Sequence, residues 1–134
     1  MSEITQFVHH GAQRVTPQIL KSMHKRLPLL KLEFAAINAP NFPHLVEQLS
    51  FLTNVVEDFA EGAADDVPYV VIAEAVFALI YTHGQVDLIP ASNPQFGHGD
   101  DSSVARAVLI EHERVLDEYA VKRGINWSKS CLKP

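Results

Sequence analysis

Four side chains that can bind a metal ion fall within fifteen residues of one another. They are Asp87, His98, Asp100 and Asp101, and they follow directly after the most apolar stretch of the chain. Carboxylate oxygens are the preferred ligands of hard divalent cations, and imidazole is a common additional ligand. These residues therefore predict a pocket for magnesium, calcium or manganese, to which His83 can contribute, although their spacing matches no standard metal-binding loop.

The same loop has an explanation that needs no cofactor, and we favour it. Asp87 can accept backbone N–H groups in the turn that Pro90 enforces. Pro94 stiffens the segment, and Gly97 permits a positive φ. An aspartate at position 100 or 101 then caps the following helix and interacts favourably with its dipole.

A carboxylate also lies inside the most apolar stretch. Glu74 is the only ionisable residue among nearly continuous apolar residues, so it must find a partner or remain protonated, because burial of an unpaired charge costs several kcal/mol. His112, on the apolar stripe of the last predicted helix, is its expected partner if the two helices pack antiparallel. We expect this pair to be structural.

Arg106 and His112 form a second candidate pair. Their Arg-x5-His spacing is similar to the signature of helical HEPN ribonucleases, in which the two residues would polarise a phosphate and transfer a proton. Two observations argue against this enzyme: a separation of six residues places the two side chains about 120° apart around a helix, and the chain is acidic. A metal-dependent or HEPN-like ribonuclease is therefore only the alternative to our main hypothesis, which is non-enzymatic.

The pattern around these residues is helical throughout. The central helix is predicted at about residues 68–83, capped by Asp65 or Asp66; its β-branched residues make a strand the competing prediction, but its length and alanines favour helix. An earlier helix begins at Thr16-Pro17 and is either kinked or split at Pro28. The next begins at Asn41 and ends at Gly62.

The last helix is predicted from Asp100 or Asp101 to Arg123. Gly124 is its left-handed cap, with Ile125 packing back, and Trp127 anchors the tail. The predicted fold class is all-α: a single domain, 1–134, with four to five helices around the central one. Residues 1–15 and 126–134 are expected to be loosely attached ends, and His9-His10-Gly11 is interpreted as a break in a solvated segment.

The loop pattern resembles the signature of the YkvA-like family, small helical bacterial proteins of unknown function. The fixed positions of that signature are Asp87, Pro90, Pro94, Gly97, Asp100 and Asp101. The resemblance covers roughly residues 70–119. The chain departs from the family at Gly84-Gln85 and at Ala91-Ser92-Asn93, which make the loop more polar. The resemblance implies a helical fold and no particular reaction or ligand.

Composition limits the remaining possibilities. Residues 1–32 and 122–134 each carry a net charge of +4, whereas residues 33–121 carry −13. An acidic body argues against nucleic-acid binding as a general function. The basic ends can fold back on this body or pair with another copy, but we favour the simpler interpretation that the helix surfaces differ in charge. The single cysteine, Cys131, excludes an internal disulfide. We expect a cytoplasmic interaction or scaffold domain with an unknown protein partner or a homodimer, without a membrane span.

Overall fold

A computed structural model describes residues 3–84, 97–125, 127 and 132–133, with the side chains of residues 97–99 left out. Within these residues the fold is all-helical, as predicted, with six helices where four or five were expected. The helices are α1 (Glu3–Ala12), α2 (Pro17–Ala35), α3 (Leu45–Ala60), α4 (Tyr69–His83), α5 (Gly97–Glu111) and α6 (Glu113–Arg123).

Helix α4 is the centre of the bundle. Its residues 71–79 are all buried, and α1, α2, α3 and α5 all contact it. A helix that is apolar on every side avoids water only when other helices surround it. The predicted central helix is confirmed, and it ends at Gly84 with φ 80°. Its predicted cap is wrong: Pro68 occupies the N-cap position, and Asp66 accepts a hydrogen bond from Lys122 Nζ at 2.9 Å.

The segment expected to be a loosely attached end forms α1. This helix packs on α4 and α5, and its residues Val8, Gly11 and Ala12 are buried. Gly11 lies so close to α4 that a methyl group there would overlap the ring of Phe77. The interpretation of residues 9–11 as a break is therefore wrong, because the absence of a side chain at Gly11 allows the two helices to approach closely.

Helix α2 is one helix, so Pro28 does not split it. Thr16 caps it by accepting a hydrogen bond from Ile19 N at 3.2 Å, and Pro17 follows at the first position, as predicted. Pro28 has no N–H, so the carbonyl of His24 loses its intrahelical donor, but Pro28 is exposed and water can replace that donor. Helix α3 begins at Leu45, later than the predicted start at Asn41.

The predicted last helix is broken at His112, whose φ and ψ of −115° and 26° separate α5 from α6. Helical hydrogen bonds still join His112 N to Val108 O and Leu116 N to His112 O, so the break is local. The predicted C-cap is confirmed: Gly124 has φ 67°, and Ile125 N donates to Ala120 O at 2.9 Å.

Candidate functional site

The most unusual polar group of the core is Glu74, in the middle of α4. Its side chain is 1% exposed, and each of its oxygens lies next to an imidazole. Oε1 is 3.0 Å from Nε2 of His112, at the junction of α5 and α6. Oε2 is 2.7 Å from Nδ1 of His9, on α1. The expected pairing of Glu74 with His112 is thus observed, and three parts of the chain meet at one carboxylate.

The two contacts differ in geometry. His112 Nε2 donates a hydrogen bond, because an ionised carboxylate only accepts. His9 Nδ1 is closer but approaches at an angle that makes no hydrogen bond, so Glu74 Oε2 and His9 Nε2 are buried atoms without hydrogen-bond partners. His9 Nε2 is also 3.5 Å from Oε1 of Glu111. Both ring nitrogens of His9 therefore face carboxylate oxygens.

This arrangement is suited to joining helices rather than to binding a cation. The two imidazoles contact different oxygens of the carboxylate. Among the residues that the structure describes, no group of three or more His, Cys, Asp or Glu side chains is arranged to hold a metal ion. Glu74 instead connects α1, α4 and the α5–α6 junction at a single charge.

A cavity of about 290 Å³ lies between α1 and α4 beside this cluster. Its lining is mainly apolar, with a few polar groups near Glu74. The lining residues are His9, Ala12, Gln13, Val15, Tyr69, Val70, Ala73 and Glu74. Tyr69 is already engaged, because its hydroxyl donates to Val15 O at 3.1 Å.

The predicted cation pocket falls only partly on the described residues. Asp87, Pro90 and Pro94 lie outside them, as does the side chain of His98. His83, the proposed additional ligand, lies 2.7 Å from Glu33 Oε2 through its Nδ1. The positions of these residues relative to one another therefore stay a prediction.

The two aspartates at the start of α5 do not cap it. The helix begins at Gly97, so Asp100 and Asp101 lie inside its first turns, and the predicted capping role is wrong. Burial and the neighbouring Asp100 raise the pKa of Asp101 to about 7. Burial and the charges of Asp100 and Asp101 raise the pKa of Tyr81, on α4, to about 12.

The structure gives Arg106 and His112 separate partners. Arg106 Nε donates to Ser102 Oγ at 3.1 Å, one turn earlier on α5, whereas Nε2 of His112 is bonded to Glu74. The nitrogen that a ribonuclease would use for proton transfer is thus engaged inside the bundle.

The sequence interpretation missed His9 as a partner of Glu74. The signal was available, because Ile4, Phe7, Val8 and Ala12 are spaced as on one face of a helix. On such a helix His9 follows directly after the buried Val8 and lies at the edge of the apolar face. Adjacent histidines point apart on a helix, so one can enter the bundle while the other, His10, remains exposed.

A second unusual feature is the outer face of α2, which we define as Gln18, Ser22, Lys25, Leu29 and Leu32. These residues are all exposed and fall on one line along the helix. The two leucines are 72% and 71% exposed. The opposite side of α2 is buried, through Leu20, Met23, Leu27, Leu30 and Phe34. A helix whose core side is already apolar does not need further leucines on its solvent side.

Comparison with known proteins found no match among family models, curated proteins or solved structures. The YkvA-like resemblance consequently stays a prediction. Across the described residues, no helix has both the length and the apolar character that crossing a membrane requires.

Proposed function

We propose that this protein is a non-enzymatic, helical protein-interaction module that pairs with a second copy through the outer face of α2. The observation that supports this proposal is the pair of exposed leucines, Leu29 and Leu32. Exposed apolar residues are common on protein surfaces when scattered singly. Two large ones a single turn apart, on a helix that already buries its other side, favour contact with another surface.

Antiparallel pairing of two copies of α2 satisfies these leucines. If the helices cross at residues 30–31, Leu29 of each copy lies against Leu32 of the other. Each copy then contributes the same residues to the contact, as in a dimer with two-fold symmetry. Pro28 lies beside this crossing point and, having no N–H, donates no hydrogen bond there.

Charge favours the same alignment. Lys25 of one copy falls next to the last turn of the other copy's α2, which is the negative end of the helix dipole. Glu33 is the acidic residue of that last turn, and its carboxylate already contacts His83 Nδ1 at 2.7 Å. Lys25 then contributes about 0.3–1 kcal/mol by interaction with the helix dipole.

The dimer is expected to be weak. Burial of a leucine is worth about 1.5–3 kcal/mol, and four partly exposed leucines must offset the loss of translational and rotational freedom on association. We therefore expect a dissociation constant on the order of 10 µM.

Sedimentation equilibrium of the full chain tests the dimer. We expect a reversible monomer–dimer equilibrium, and Leu29→Glu should abolish it, since this change places a carboxylate against the partner's Leu32. Val121→Glu is the matched control, because Val121 is 80% exposed on α6, outside the proposed contact. A chain that remains monomeric up to about 500 µM, far above the expected constant, would contradict the proposal, as would equal effects of the two substitutions.

The other sequence expectations remain as proposals beside this one. The resemblance to the YkvA-like family supports a small helical module without an assigned reaction, and a bacterial, cytoplasmic protein. A divalent cation at Asp87, His98, Asp100 and Asp101 stays a prediction. Metal analysis of the purified protein and of its Asp100→Ala variant tests it: a stoichiometric cation that the variant loses would favour the enzymatic alternative.

A further inference from the structure

The cavity beside Glu74 plays no part in the proposed dimer. It lies between α1 and α4, has a volume of about 290 Å³, and has no lining residue from the outer face of α2. An apolar cavity of about 150 Å³ is already large enough for benzene, and pockets for drug-sized ligands begin at about 300 Å³. The space, which we call the α1–α4 cavity, therefore suits a molecule with a single ring.

The walls of the α1–α4 cavity are mainly apolar. Ala12, Val15 and Ala73 are buried there, and the small side chains of the two alanines leave the space open. Tyr69 and Val70 line the same cavity but are 40% and 51% exposed, so they lie towards the solvent. Burial of an apolar ring against such walls is favourable because it removes apolar surface from water.

One polar atom beside the cavity has unused hydrogen-bonding capacity. Glu74 Oε2 is buried and accepts no hydrogen bond, whereas Oε1 is bonded to His112. A buried acceptor without a donor carries a free-energy cost. The imidazole of His9 lies 2.7 Å from Oε2 without a hydrogen bond to it, and its side chain is 29% exposed. His9 is therefore the side chain that can turn outward and open Oε2 to the cavity.

We propose that the α1–α4 cavity binds a small neutral molecule that combines one apolar ring with one hydroxyl or N–H group. The ring packs against the apolar walls, and the O–H or N–H donates to Glu74 Oε2 after His9 turns outward. A neutral ligand fits because His112 remains bonded to the carboxylate, so Oε2 lacks a donor rather than a second charged partner. The same carboxylate repels an anion.

Isothermal titration calorimetry of the full chain with para-cresol tests this inference. Toluene, which is para-cresol without its hydroxyl, is the matched control ligand. We expect para-cresol to bind with a dissociation constant on the order of 100 µM, as its few non-hydrogen atoms allow. Toluene should bind about ten-fold more weakly or worse, because a hydrogen bond to a charged acceptor is lost.

Substitutions in the walls locate the site. Ala73→Leu fills the cavity and should abolish measurable binding of para-cresol. Ala60→Leu adds the same side chain at an exposed α3 residue that does not line the cavity, and should change nothing. If the Ala73→Leu chain does not fold, Val70→Trp serves instead, since it places an indole at the exposed edge of the cavity. His9→Ala should tighten binding several-fold, because no imidazole has to be displaced.

The contrary outcomes are equally clear. Absence of para-cresol binding to the folded chain would overturn the inference, as would equal binding of toluene, unchanged binding to the filled variant, or weaker binding to the His9→Ala chain. Tighter binding of benzylammonium than of para-cresol would assign the cavity to a cation instead. Leu29→Glu, which abolishes the proposed dimer, should leave para-cresol binding intact, so a failure of the dimer and a failure of this site are distinguishable.

Discussion

At the scale of the residue, the dominant feature is a single carboxylate with two imidazoles. Glu74 carries a charge into an apolar core, and this is tolerable only because His9 and His112 are held against its oxygens. Replacing such a group by an apolar residue of similar volume is often harmless, but removing one member leaves the others without partners. The cluster therefore specifies how the helices pack more than it contributes net stability.

Glu74→Ala should lower the free energy of unfolding by about 3–5 kcal/mol, because it removes the hydrogen-bond partner of His112 and the charged contact of His9, and opens a cavity. Chemical denaturation followed by circular dichroism measures this loss. Glu118→Ala, an exposed change on α6, should stay within about 0.5 kcal/mol of the parent. A loss below about 1 kcal/mol for Glu74→Ala would show that the cluster is not the junction we describe.

Asp101 makes the stability of the fold decrease as the pH rises, whereas a carboxylate in an ion pair makes it increase. Its pKa is raised from 3.8 to about 7 by burial and by Asp100. Between these values the unfolded chain binds fewer protons than the folded one, so this residue lowers the stability of the fold as the pH rises. The stability that the protonated form contributes is complete below the unfolded pKa and is lost as pH rises to about 7.

Asp101→Asn should therefore stabilise the protein relative to the parent at about pH 8 more than at about pH 5. Urea denaturation at the two values measures the difference. Asp65→Asn, on the exposed connector before α4, is the control and should show no such trend. An advantage of Asp101→Asn that is the same at both pH values would contradict the assignment.

At the scale of the element, α1 is a helix that is stabilised by its packing against neighbouring helices. Its buried Gly11 sits against Phe77, and the ring of Phe7 meets that of Phe77 edge-on at 5.4 Å. Glycine lowers the helix propensity of this segment. The helix is stabilised because close packing on α4 and the contact of His9 with Glu74 outweigh that cost.

Gly11→Ala should lower the free energy of unfolding by about 1–3 kcal/mol, since the added methyl overlaps the Phe77 ring and overpacking strains the core. In an exposed helix the same change would stabilise the helix by about 1 kcal/mol. The sign of the change in stability therefore shows whether Gly11 is packed against α4. Thermal denaturation measures it, with Ser22→Ala on the outer face of α2 as the control. Stabilisation by Gly11→Ala would show that α1 does not pack on α4 as described.

At the scale of the whole molecule, basic residues from both ends of the chain form ion pairs with its acidic middle part. Basic residues near both ends bind the acidic body: Lys31 Nζ is 3.0 Å from Glu57 Oε2, and Lys122 Nζ is 2.9 Å from Asp66 Oδ2. These two contacts are compatible with folding back of the basic ends and with helix surfaces that simply differ in charge. The Lys122–Asp66 pair is exposed and the Lys31–Glu57 pair is only half-buried, so they orient the ends and contribute little to stability.

Lys122→Ala should accordingly leave the denaturation midpoint almost unchanged, since solvent and salt screen an exposed ion pair. The measurement is the denaturation midpoint at low and at high salt, where the difference between variant and parent should shrink further. A loss comparable with that of Glu74→Ala would mean that the charged ends are part of the fold's stability.

The sequence by itself determined the helical class, the buried central helix and the need of Glu74 for a partner. These follow from hydrophobic period and from the cost of burying a charge, both of which are local in the chain. The cap at Gly124 was equally readable, because only the residues next to it are involved.

Only the tertiary structure decided that His9 meets Glu74, that the last helix breaks at His112, and that Trp127 lies on Phe51. The contacts of His9 and Trp127 join residues far apart in the chain, and the break occurs where His112 contacts Glu74 on another helix, so all three depend on how closely whole helices approach. Gly11 illustrates the reason: in sequence it indicates a helix break, but against Phe77 the same missing side chain is what allows the helix to pack.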